Sequence, residues 1–170
     1  RTGTLADPYA CQTGPTAHVA PGYAAILALI YRTSEHPDVW IGVLTSIASA
    51  LTYALLPWLT EALLLGRGVG ISAGLFGAVF PWLPGLEARG SWEAPWVACL
   101  LIIAAGLMAR ESKIAAGFAW GIAFLFGPAL LPVFIIIAVL QRTKRVGMVV
   151  ATIAVAVVTP WVVRNYVRFG

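Results

Sequence analysis

The sequence predicts an all-α fold, a polytopic bundle of transmembrane helices, on three observations. Sixty per cent of the 170 residues are apolar, and the mean hydropathy is +0.88. Only 11% are charged, too few to clothe a soluble domain of this size. The apolar residues fall in runs whose ends carry Trp, Pro and basic residues, as the ends of membrane helices do. The net charge of +4 does not point to nucleic acid. The cations sit in short loops between apolar runs, where they mark topology and meet lipid headgroups.

Residues 1–21 are polar and rich in turn formers: Asp7-Pro8, Thr13-Gly14-Pro15 and Ala20-Pro21-Gly22. A helix is expected from Pro21 to about Arg32. It is too short to cross a bilayer, which takes about 20 residues, and it reads as interfacial or re-entrant. Val39 to about Leu65 is the first convincing span, with Trp40 and Trp58 as membrane markers and Pro57 as a kink. Glu61 lies near its end, where Arg67 is the expected neutralising partner. A second span is expected from Val69 to Trp82. Gly66, Gly70 and Gly74 precede and enter it at four-residue spacing, which lets another helix approach closely.

A polar loop around 85–93 follows, then a short span from Ala94 to Ala109 closed by Arg110, Glu111 and Lys113. Ile114 to Leu140 is apolar throughout, with Gly127-Pro128 near its middle. It is either one long kinked span or two half-length helices turning at Gly127-Pro128. Arg142, Lys144 and Arg145 precede the last span, Val146 to about Val163. The chain thus divides into 1–38, an outer loop with a short interfacial helix; 39–163, the helical bundle; and 164–170, the start of a further outer loop. Beginning at Arg1 and stopping just past a membrane exit, it reads as an internal piece of a longer protein. Charge counting does not separate six crossings from the hairpin arrangement. The hairpin does put Arg110, Lys113 and Arg142–Arg145 on one side, with residues 1–38, the 85–93 loop and Arg164 onward on the other.

Those three outer segments hold the candidate functional groups: Asp7, His18 and Tyr23; Glu87, Trp92 and Glu93; Arg164, Asn165 and Tyr166. Carboxylates act as general bases or bind a metal. A guanidinium at headgroup depth holds phosphate by paired hydrogen bonds and stabilises it as it leaves. Aromatic rings beside carboxylates suit sugar faces and lipid chains. Plainer roles exist for each. Arg164 beyond Trp161 also reads as a membrane anchor. His18 suits a loop hydrogen bond, Glu87 and Glu93 suit solvated loop charges beside Arg89, and Asp7 before Pro8 suits a turn. There is no P-loop, no H-E-x-x-H and no paired C-x-x-C, and Cys11 and Cys99 form no framework.

The blocks Thr13-Gly-Pro-Thr-Ala-His-Val-Ala-Pro-Gly-Tyr23 and Thr159-Pro-Trp-Val-Val-Arg-Asn-Tyr-Val-Arg-Phe-Gly170, with Trp92-Glu93, resemble bacterial membrane glycosyltransferases of family 39. These are related to protein O-mannosyltransferases and the lipid A aminoarabinose transferase, within the GT-C superfamily. The resemblance implies a partial GT-C membrane module in a bacterial inner membrane, with its active site facing outside. It implies transfer of a sugar from a polyprenyl-phosphate donor to a glycan, lipid or protein acceptor. The general-base aspartate of such enzymes would lie upstream of Arg1, so no catalytic residue is assigned here. Arg164, with Asn165 and Tyr166, is then expected at the lipid phosphate. Glu87, Trp92 and Glu93 are expected at the acceptor, the carboxylates also being compatible with a divalent metal, and His18 and Tyr23 in the carrier pocket. No resident cofactor or metal set is assigned. Two further readings stand beside this one: a transporter or permease fragment with a mid-membrane site at the helix break, and a non-catalytic assembly subunit.

Overall fold

A computed structural model describes residues 20–80, 93–140 and 143–169 of the chain. Every regular element among them is helical. In chain order these are α1 (Pro21–Thr33), α2 (Pro37–Ala62), α3 (Arg67–Val79), α4 (Ala94–Ala109), α5 (Lys113–Phe126), α6 (Leu131–Leu140) and α7 (Lys144–Phe169), with a 3₁₀ turn at Pro128–Leu130 before α6. Two of them, α2 and α7, each of 26 residues, are long and apolar enough to cross a membrane.

Proline opens α1, α2 and α4 within the first turn, where its missing N–H is no loss. At the other ends, α2 and α4 close alike. Leu64 and Glu111 take positive φ of 60° and 57°. Leu65 N–H then reaches back to Thr60 O at 2.9 Å, and Ser112 N–H to Leu107 O at 3.0 Å. These bonds use carbonyls a helix end leaves orphaned.

Side-chain contacts fix the helix directions. Gly70, Gly74 and Gly77 press α3 antiparallel onto α2. A Cβ on Gly70 would strike Thr60 and Pro57, and one on Gly74 would lie 2.7 Å from Tyr53 O. α4 runs parallel to α2, with Cys99 beside Thr52, Gly106 under the Trp58 ring and Arg110 at Glu61. α5 returns antiparallel to α4, placing Phe126 by Trp96 and Gly127 by Val97. α7 runs parallel to α5, with Ile153 on Gly117 and Val157 on Gly121.

Between α5 and α7 the chain doubles back. Pro128 cannot donate to the helix and bars Gly127 from helical geometry, so Gly127 is extended at φ −152° and ψ 91°. Phe134 on α6 then meets Trp120 at 5.1 Å and Phe124 at 5.6 Å between ring centroids. The start and finish of Lys113–Leu140 therefore share one end of the molecule.

The core lies where α4, α5, α6 and α7 meet. Trp120, Met108, Val146 and Val150 are fully buried, among Ala104, Ala116, Ala123 and Ala154. Alanine and glycine on α5 let α4 and α7 approach closely. Outward, large apolar side chains stand exposed, among them Trp40, Leu51, Phe76, Ile136 and Val163.

Several expectations are corrected. The partner of Glu61 is Arg110, at 3.7 Å, because α4 ends beside α2 while the tight 63–66 turn carries Arg67 onto the next helix. Gly66 is not part of the packing stripe. It sits in the turn at φ +89°, with open space around it, and Gly77 takes the place assigned to it. α3 ends at Val79, and Phe80 is extended. At 13 residues α3 is about 20 Å long, short of the roughly 30 Å hydrocarbon core; α4, at 16 residues, is also short. Arg164–Phe169 belong to α7 rather than to a loop. Pro160 removes one N–H, and residues 161–169 contain no further breaker.

Candidate functional site

The helix directions gather the charged groups at two ends. Glu61, Arg67, Arg110, Glu111, Lys113, Lys144 and Arg145 lie at one, which is net basic. Here the Arg110 guanidinium also lies 5.1 Å over the Trp58 ring and donates to Trp58 O at 3.5 Å. The starts of α1, α2 and α4 and the end of α7 lie at the other. Five of the predicted site residues lie at this end in two groups, Tyr23 with Glu93, and Arg164 with Asn165 and Tyr166. His18, Glu87 and Trp92 lie outside the described residues.

Arg164 stands at the end of α7 with its guanidinium 4.8 Å over the Trp161 ring and 5.8 Å from that of Phe169. Arg164 Nη1 donates to Asn165 Oδ1 at 2.7 Å. Two aromatic faces and an amide thus restrict a side chain that would otherwise be mobile, and its planar guanidinium has the shape to pair with an oxyanion.

Alongside this turn, α7 forms one wall of a cavity of about 700 Å³. Pro21 from α1, Phe124, Pro128 and Leu131 form the opposite wall, and Trp161, Asn165 and Tyr166 stand among its lining residues. The lining is overwhelmingly hydrocarbon. The Gly127-Pro128 break creates this space, because a straight helix would carry residues 128–131 past it.

Tyr23 adjoins the site through its neighbours. Gly22 packs on the Phe126 ring, and Pro21 lines the cavity. The Tyr23 side chain is buried, and burial raises its pKa above the ordinary 10.0. The Glu93 carboxylate, and then Tyr31, push it the same way. Glu93 is half-buried directly before α4. Among the described residues no three His, Cys, Asp or Glu side chains gather as metal ligands.

Sequence reasoning missed Trp96 and Leu131. Trp96 carried a signal, since it follows Glu93 by three residues and so shares its helix face. Leu131 carried none, because only the reversal at Gly127 brings it to α7. Pro128 was legible as a helix break, and the structure sets it in the cavity wall. Compared with known protein families, curated proteins and solved structures, the chain matches none of them.

Proposed function

We propose that the chain is the membrane part of a glycosyltransferase that takes a sugar from a polyprenyl-phosphate donor and passes it to an acceptor outside the cell. One observation carries this reading. A single end of the bundle combines an apolar cavity lined by Asn165 and Tyr166, an oriented arginine on the same turn of α7, and the Glu93 carboxylate. A polyprenyl phosphate has the matching chemistry, with a long hydrocarbon tail joined to a charged head. The tail would occupy the cavity, and the phosphate would pair with Arg164. Glu93 and Tyr23 would face the sugar or its acceptor.

The bundle would sit in a bacterial inner membrane as a polytopic protein. Its two long apolar helices and its exposed apolar side chains support this. The basic end would face the cytoplasm, and the Arg164 end would face outside. The short α5 and α6 would enter and leave on the cytoplasmic side, their reversal shielded by protein.

In the proposed reaction the bond from the anomeric carbon to the phosphate oxygen breaks as the acceptor oxygen attacks that carbon. The phosphate leaves with the bonding pair, and the acceptor proton passes to the general-base aspartate that the transferase reading requires. Arg164 stabilises the charge that develops on the departing oxygen. Arg164→Ala in the intact protein is expected to lower sugar transfer by about a hundredfold or more without loss of folding. A reconstituted assay with lipid-linked sugar measures this, and unchanged turnover would remove Arg164 from the site. The helix break beside the cavity favours a second reading, a transporter with broken helices. That reading requires substrate flux across sealed vesicles and no sugar transfer.

A further inference from the structure

The basic end carries more cations than its own acids neutralise. Arg110 is paired with Glu61 at 3.7 Å. Arg67, Lys113, Lys144 and Arg145 have no carboxylate partner among the described residues. Lys144 is turned to the end of α6, donating to Val139 O at 3.5 Å. Lys113 and Arg145 instead share the mouth of the seam between α5 and α7, where Gly117 and Gly121 pack on Ile153 and Val157. Lys113 precedes Gly117 by one turn and so lies on the face of α5 that meets α7. Arg145 precedes Ile153 by just over two turns. The two helices run parallel, so both cations stand where the seam opens. Like charges brought together this way repel. Neither helix offers an acid in its first turn, where the dipole favours an anion.

We infer that an anionic phospholipid docks at this seam, its phosphate between Lys113 and Arg145 and an acyl chain against α5. The apolar half of the match matters as much as the charged half. Ile114, Phe118 and Ile122 recur every four residues along α5, beside the seam glycines, and all three are exposed. They form a hydrocarbon track that starts next to Lys113. Arg145 lies on the flank of α7 opposite the core residues Val150 and Ala154. The track lies on the same flank, since Ala116 and Ala123 turn the other side of α5 to the core. A free anion would leave the track unused, and a neutral lipid would leave the two cations unpaired. A phosphate joined to fatty chains uses both. The guanidinium and the ammonium pair with its oxygens, and the chain follows the track. Basic clefts between membrane helices recognise lipid headgroups in this way. The inference requires the chain to sit in a membrane, and it does not require sugar transfer.

The test is native mass spectrometry of the full chain released from nanodiscs. These hold equal amounts of phosphatidylglycerol and phosphatidylcholine with the same acyl chains. Phosphatidylglycerol should be retained in preference by about twentyfold, roughly fivefold for each of the two cations. Lys113→Gln with Arg145→Gln should abolish the preference. Arg67→Gln with Lys144→Gln removes the same charge from the same end and should leave the preference largely intact. In phosphatidylcholine alone the melting temperature of the seam variant should hold or rise, because a like-charge contact is relieved. The assignment is overturned if the two lipids are retained equally. It is overturned if both double variants lose the preference alike, which marks a diffuse basic surface. Displacement of the lipid by inorganic phosphate overturns it as well, the occupant then being a free anion. A lower melting temperature in the seam variant does the same, marking the two cations as structural. Selective retention with the expected variant pattern but no transfer from polyprenyl phosphate would retire the transferase reading and keep the lipid site. Transfer with equal retention of the two lipids would do the reverse.

Discussion

Arg164 owes its position to residues three before, one after and five after it: Trp161, Asn165 and Phe169. The helical spacing that pairs it with Trp161 was legible in the sequence, because residues three apart share a face. The bond to Asn165 was not, since successive helix residues ordinarily point apart. Tyr23 shows the same division. Its polar tip was visible, but its burial was not, because α1 packs through Gly22 on Phe126, about a hundred positions away. At this scale the pH behaviour is specific. The folded state holds the Tyr23 proton more tightly than the unfolded chain does. Its contribution to stability is therefore complete below pH 10.0 and is lost as pH rises toward the higher folded value. Glu93→Gln should lower the Tyr23 pKa, though burial keeps it above 10.0. Tyrosinate absorbance near 295 nm reads the change, and a rise in that pKa would refute the placement of Glu93. In the core, Trp120 is fully buried against Phe124 and Phe134. Trp120→Ala should cost about 3–5 kcal/mol, measured by unfolding in mixed detergent.

Among the elements, glycine decides which helices approach each other. The spacing of Gly70 and Gly74 announced a close contact without naming its partner, and nothing in the pattern singled out Gly77 over Gly66. The difference arose from the 63–66 turn, whose positive φ at Gly66 removes it from the helix. On α5, Gly117 and Gly121 meet Ile153 and Val157 on α7. Gly121→Leu should force these helices apart and destabilise the protein by about 1–3 kcal/mol or more. Gly42, with open space around it, is the matched control, and Gly42→Leu should stay within about 0.5–1 kcal/mol of wild type. Gly127-Pro128 allowed two arrangements on sequence grounds, because a proline can kink a helix or end it. The extended ψ of Gly127 and the aromatic cluster on Phe134 give the second. A Cβ on Gly127 would lie 3.9 Å from that of Val97, within disulfide range. Val97→Cys with Gly127→Cys, in a background lacking Cys11 and Cys99, should therefore cross-link on mild oxidation. A failure to bridge would contradict the antiparallel register of α4 and α5.

Over the whole molecule, the two polar ends follow from the order of helices, and the apolar runs announced that order well. Helix length was read less well, because composition extended α3 past Val79 to Trp82. In sealed vesicles, Lys144→Cys and Tyr166→Cys should react with an impermeant maleimide from opposite sides. Labelling of both from one side would refute the proposed crossing of α7. One more property follows from the pairing of Arg110 with Glu61. That contact levels α2 and α4 at the basic end, yet α2 has 26 residues and α4 has 16. At 1.5 Å per residue, α4 stops about 15 Å short of the far tip of α2. Glu93 and Trp96 therefore lie level with the body of α2 rather than with its tip. In the proposed transferase an acceptor would have to reach that depth, which favours slender termini and single exposed sugars over broad folded surfaces.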